Sequence, residues 1–110
     1  MDRVTFLVQG SAKEPYKIEF VKDNNNLSAS CTCPAGENGL YCKHRFSIMK
    51  GNEEGIISEN KSEVAKIKRW LAGTDVEKAL LDVEKKEAQL EQIKQDLSNA
   101  KKKLARVLSD

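Results

Sequence analysis

The chain holds three cysteines and one histidine, and they fall into two pairs: Cys31-Thr32-Cys33, then eight residues, then Cys42-Lys43-His44. On an extended backbone, residues two apart point to one face, so Cys31 and Cys33 can grip a single ion. On a regular helix, residues two apart diverge by about 200°. Cys42 is therefore expected at or before the start of a helix, with His44 reaching back from the first turn. A helix N-terminus is partly positive, which favours thiolate there. The bland alternative is three small buried residues beside an incidental histidine. Against it stands the fact that the two pairs use every Cys and His in a chain of 110 residues.

An odd number of cysteines suits a reducing compartment and suits disulfides poorly. Iron–sulfur clusters usually call for four cysteines, whereas a soft set of three sulfurs and one nitrogen suits Zn²⁺. One structural zinc per chain is the expectation, held by Cys31, Cys33, Cys42 and His44. A catalytic zinc keeps a position open for water; here four donors fill the tetrahedron and no second histidine is left to act as a base. The chain is thus expected not to be an enzyme. Three thiolates on a dication leave a local charge of −1, and Lys43 and Arg45 flank the site as compensators.

The text around these pairs specifies an α+β fold. Val4, Phe6 and Val8 alternate with Thr5, Leu7 and Gln9, which predicts a strand. A second alternation runs through Tyr16, Ile18 and Phe20, and a third through Leu27, Ala29 and Cys31. Asp23-Asn24-Asn25-Asn26 between the last two is a turn signal, because Asn and Asp tolerate left-handed backbone. The pattern predicts a three-stranded antiparallel meander, then a loop over 34–39. From Tyr41 the period becomes helical, with Cys42, Arg45 or Phe46, and Met49 on one face, and Gly51 supplies a stop. Residues 1–51 thus form the metal module, and 52–58 read as a linker. A connecting helix is expected over 59–73, with Val64, Ile67 and Leu71 on one stripe. Thr74-Asp75-Val76-Glu77 fits a capping box, which starts a last amphipathic helix over 74–110.

Cys-x-Cys followed by Cys-x-His, after paired strands and leading into a helix, resembles the SWIM-type zinc finger. The resemblance spans about residues 4–51 and extends to Val8-Gln9-Gly10-Ser11, Tyr16-Lys17-Ile18 and Cys33-Pro34. It implies that Cys31, Cys33, Cys42 and His44 are the zinc ligands. Pro34 and Lys43 match the family pattern without a ligand role. It further implies a DNA- or protein-binding module, without deciding between those partners. A finger followed by one long helix departs from the usual setting of this module within a larger protein.

The last helix carries a heptad repeat. With Val76 at a, the a positions are Val76, Val83, Leu90, Leu97 and Leu104. The d positions are Ala79, Lys86, Ile93, Ala100 and Val107, so Lys86 alone breaks an apolar seam. Such a seam predicts a coiled coil and hence a homodimer through residues 74–110; the alternative is that the stripe folds back on its own chain. Residues 75–96 hold seven acids and four bases, whereas 97–110 hold Lys101, Lys102, Lys103 and Arg106 against Asp110 alone. That split suits either the helix dipole or an antiparallel pair in which each acidic half lies on a basic one.

The formal net charge of +2 excludes a protein that coats nucleic acid by charge alone. The expected function is that of a non-enzymatic, zinc-stabilised binding module with a protein partner, acting as an adaptor, inhibitor or regulator. Nucleic acid, DNA in particular, is the second candidate partner. Its contacts would be Lys43, Arg45 and Lys50 on the finger helix, Lys66, Lys68 and Arg69 on the next, and Lys101, Lys102, Lys103 and Arg106 at the tail. Each cluster also reads as a solvated face. No stretch approaches the apolar length of a membrane span, and no apolar segment near Met1 reads as a signal peptide. A cytoplasmic or nuclear setting, not a secreted one, is the expectation.

Overall fold

Alternation of apolar and polar residues places one face of each strand inside. In the computed structural model, which describes Met1–Ser109, β1 (Asp2–Val8), β2 (Tyr16–Asp23) and β3 (Asn26–Cys31) form an antiparallel sheet in the order β1-β2-β3. Val4 pairs with Phe20, Phe6 with Ile18, and Ile18 in turn with Cys31. These registers put Val4, Phe6, Val8, Ile18, Phe20, Leu27 and Cys31 on one buried face. Phe6 and Phe20 meet edge-to-face at 6.1 Å, the arrangement that ring quadrupoles favour. Truncating either fully buried ring would cost about 3–5 kcal/mol. The hairpin between β2 and β3 turns on Asn24, whose φ of 55° is the left-handed conformation that asparagine tolerates.

After the sheet come α1 (Pro34–Glu37), α2 (Lys43–Met49), a 3-10 turn (Lys61–Glu63), α3 (Val64–Leu71) and α4 (Asp75–Leu108). The chain divides into two units, residues 1–77 and the helix from Lys78 onward. In the first, Ile48 and Met49 of α2 and Val64, Ile67 and Leu71 of α3 complete the core begun by the sheet. Gly51, at φ 93°, ends α2 as its place in the sequence predicts. The segment 34–39, expected as a loop, contains the single turn α1.

Residues 52–58 are more than the linker their composition indicates. Val8 and Ile56 form an antiparallel bridge, the Gln9 amide donates to the Gly55 carbonyl at 2.9 Å, and the Ile57 amide donates to the Leu7 carbonyl at 2.8 Å. Ile56 is buried. The physical reason lies in β1, an edge strand with an unpaired row of N–H and C=O groups that this segment covers. The same stitching delays the next helix, expected from residue 59, until Val64. Asn60 Nδ2 donates to the Thr5 carbonyl at 2.7 Å and to Glu63 at 3.0 Å, while Ser58 Oγ donates to Asn60 Oδ1 at 2.7 Å. Asn60 thus competes for backbone and side-chain partners in a non-helical arrangement.

The capping box at the start of α4 forms. The Glu77 amide donates to Thr74 Oγ1 at 3.2 Å, and the Glu77 carboxylate accepts from the Gly73 amide at 3.1 Å. The reciprocal bond falls one residue before the cap, because Thr74 turns its own amide onto the Leu71 carbonyl. From Asp75 no Gly or Pro interrupts the helix, which runs 34 residues to Leu108.

Candidate metal centre

Each of the four donors is set by a different piece of backbone. Cys31 is the last residue of β3, held by its pairing with Ile18. The strand geometry continues past it because Thr32 is tied to β2 twice: its amide donates to the Lys17 carbonyl at 3.1 Å, and its Oγ1 accepts from the Lys17 amide at 2.9 Å. Cys33 therefore stays extended, at φ −66° and ψ 159°, and its side chain falls on the same face as that of Cys31. Cys42 caps α2 from an extended conformation. His44 is the second residue of that helix, so the expected placement of the Cys-x-His pair holds.

The donor atoms converge. Cys33 Sγ lies 3.3 Å from Cys42 Sγ, and His44 Nδ1 lies 3.7 Å from Cys42 Sγ and 4.0 Å from Cys31 Sγ. All four donors lie within 4.8 Å of one another. Tetrahedral zinc, with bonds of about 2.3 Å to sulfur and 2.0 Å to nitrogen, separates its ligands by roughly 3.5–3.8 Å. The three separations, 3.3, 3.7 and 4.0 Å, bracket that spacing, and Nδ1 is the imidazole nitrogen that faces the sulfurs. The three cysteines are buried and unpaired by disulfide, so soft donors converge in a site of the size that suits one zinc ion.

Backbone amides supply the surrounding shell. The Cys33 amide donates to Cys31 Sγ at 3.5 Å, and the Gly36 amide to Cys33 Sγ at 3.3 Å. Burial pushes the Cys31 thiol up to about 12. Burial raises Cys42 too, but the Arg45 amide and hydrogen bonds from Cys33, His44 and Cys31 outweigh it and bring that thiol down to about 6. The fold itself thus prepares Cys42 as a thiolate better than Cys31.

Three residues outside the donor set were not flagged by sequence as positioning groups. Thr32 acts through the bonds to Lys17. Gly36 sits so close to β3 that a Cβ there would lie 2.5 Å from the Cys31 carbonyl oxygen and 2.8 Å from Cys31 Cβ. Arg45, expected as a charge compensator or partner contact, clamps the loop that delivers Cys42: Nη1 donates to the Ala29 carbonyl at 3.2 Å and Nη2 to the Leu40 carbonyl at 2.6 Å. Its guanidinium also lies 5.8 Å from the centre of the Phe46 ring, which stacks on Tyr41 at 4.6 Å. The signal for Gly36 was its place in Pro34-Ala35-Gly36-Glu37, one turn beyond two cysteines. Nothing in sequence marks Arg45 apart from Lys43.

Of the remaining basic candidates, Lys43 stands between Cys42 and His44, and the others lie outside the stretch of chain that carries the donors. Lys43 and Lys50 are exposed at the two ends of α2, and Lys68 and Arg69 are exposed on α3. The Lys68 side chain runs past Gly51, next in sequence to Lys50. Lys66 lies over the Trp70 ring at 5.3 Å. Lys101, Lys102, Lys103 and Arg106 are exposed on α4. Of the seam residues, Val76 and Val83 are half-buried, whereas Leu90, Ile93, Leu97, Leu104 and Val107 are all more than half exposed. Two clefts of about 370 and 390 Å³ flank the metal centre and share Gly10, Lys43 and His44 in their walls. The second is lined also by Tyr16, Pro34 and Tyr41.

Residues 6–46 match the family model of the SWIM zinc finger. Cys31, Cys33, Cys42 and His44 stand in its Cys-x-Cys and Cys-x-His positions and are placed to bind one zinc ion. No curated protein and no solved structure matches the chain. Among the described residues, no helix is long and apolar enough to cross a membrane.

Proposed function

We propose that the chain is a zinc-stabilised protein-binding module that acts as a dimer, in the manner of an adaptor, inhibitor or regulator, and performs no chemistry of its own. Four convergent donors, three buried cysteines and the half-buried His44, would leave a zinc ion no open coordination position, which supports a structural role for the metal. The observation that carries the dimer is the stripe on α4, where Leu90, Ile93, Leu97, Leu104 and Val107 are between 53% and 62% exposed. A water-facing apolar stripe of that length is a liability without a partner. The cleft lined by Tyr16, Pro34 and Tyr41 offers a second surface with the aromatic character that protein interfaces favour.

The near-neutral charge and the engagement of Arg45 with two backbone carbonyls favour a protein partner over nucleic acid. Sedimentation of the full chain at tens of micromolar tests the dimer; a monomer there contradicts it. Affinity capture from the native host, with and without nuclease, tests the partner class. Capture that survives nuclease supports a protein. Capture lost with nuclease, or tight DNA binding that falls steeply with salt, transfers the function to nucleic acid through Lys43, Lys50, Lys68, Arg69 and the Lys101–Lys103 run with Arg106.

A further inference from the structure

We propose that α4 pairs with α4 of a second copy in an antiparallel, full-length register centred between Glu91 and Gln92. The inference rests on the dimer reading above and assigns its geometry. It follows from where one lysine sits. Lys86 occupies a d position in the seam, and its Nζ is held by both oxygens of Asp82 on the same helix, at 2.8 and 2.7 Å. In a parallel pair, d faces d, so the Lys86 side chains of both copies would meet in one core layer. In an antiparallel pair, a faces d. The register that keeps every seam position paired then sets Lys86 against Leu97, Val83 against Ala100, Leu90 against Ile93, and Ala79 against Leu104. Lys86 there lays its hydrocarbon stem on a leucine while Asp82 keeps its charged end at the edge.

The flanking charges select the same arrangement. In antiparallel pairs e faces e and g faces g, which brings Glu87 opposite Lys94 and Asp82 opposite Lys103, each twice by symmetry. In the parallel arrangement g faces the following e, which sets Asp82 against Glu87, two acids, in both flanks. A shift of one heptad from the full-length antiparallel register loses a core layer at each end and sets Asp96 against Asp96, or Asp82 against Asp96. Over residues 76–108, the full-length antiparallel register is thus the one among these arrangements whose flanks carry no like-charge pair.

Two measurements on the zinc-loaded full chain test this. Glu87→Lys faces Lys94 in the antiparallel pair and Asp82 in the parallel one, so its effect has opposite signs. The expected result is a dimer dissociation constant raised about tenfold, returned to within about twofold of the parent by Glu87→Lys combined with Lys94→Glu. A tightened dimer in Glu87→Lys overturns the antiparallel assignment and leaves the dimer intact. Separately, spin labels on Ala105→Cys, an exposed position outside the seam, should lie about 40 Å apart, from 27 residues of offset at 1.5 Å each. A separation under about 20 Å overturns the antiparallel register. A parent chain that stays monomeric overturns both this inference and the dimer itself, and leaves the helix of another protein as the occupant.

Discussion

Cys33 Sγ and Cys42 Sγ lie 3.3 Å apart across a loop of eight residues, one at the start of α1 and the other at the start of α2. Each sulfur sits at a cap, and Cys33 Sγ accepts from the Gly36 amide of the turn it begins. A zinc ion bound by both sulfurs would therefore hold the loop at its two ends. Coupling of this kind makes metal binding and folding one event.

Removal of zinc with a chelator should unfold the sheet and α2 while much of α4 survives, because that helix owes nothing to the metal for its hydrogen bonds. Near-ultraviolet dichroism from the Tyr and Phe residues of the first half should collapse, and a substantial part of the 222 nm helical signal should remain. Near-ultraviolet dichroism that persists unchanged in the metal-free chain would show that the hydrophobic core alone holds the finger.

Gly36→Ala should destabilise the finger by about 2–3 kcal/mol, since overpacking against backbone cannot be relieved by a rotamer change. The added methyl would meet the Cys31 carbonyl and Cβ, so zinc affinity should fall with stability. Urea midpoints of parent and variant at saturating zinc read the effect directly. Equal midpoints would mean that α1 can shift freely, contrary to its place in the metal site.

Arg45→Lys keeps the positive charge but cannot span the Ala29 and Leu40 carbonyls as a planar fork does. The expected cost is about 1–2 kcal/mol, from the loss of charged hydrogen bonds to backbone. Lys43→Ala, exposed and unengaged, should leave stability within about 0.5 kcal/mol of the parent. If the two variants lose equal stability, charge compensation and not the clamp is the role of Arg45.

Ile93→Asp should abolish dimerisation and leave zinc content and near-ultraviolet dichroism untouched, because the residue lies on α4 at 62% exposure. An aspartate in the central layer of a seam is desolvated without a partner. Sedimentation of the variant beside the parent checks this, and a variant that still sediments as a dimer would move the interface off the seam.

Much of this was legible from residue order. Period-2 alternation located all three strands, Asp23–Asn26 located their hairpin, and Thr74 with Glu77 located the start of the long helix. The four ligands were legible because their two spacings each demand one backbone state, extended for Cys31 and Cys33 and a helix start for Cys42 and His44. What was not legible depends on long-range neighbours. The pairing of Ile56, Ile57 and Ser58 with Leu7 and Val8 follows from the open edge of a strand far earlier in the chain. Asn60 was hidden for the same reason, since its partner Thr5 is remote. Arg45 and Lys43 look alike in sequence, and only the positions of Ala29 and Leu40 separate a clamp from a free charge.

The most direct test of the metal centre is zinc content measured by native mass spectrometry on the full chain, purified without chelator, beside Cys33→Ser. One zinc per parent chain and none retained by the variant, with loss of its near-ultraviolet signal, is the predicted result. A parent chain that is folded and carries no zinc, or a Cys33→Ser variant that keeps both zinc and signal, would contradict the assignment of Cys31, Cys33, Cys42 and His44.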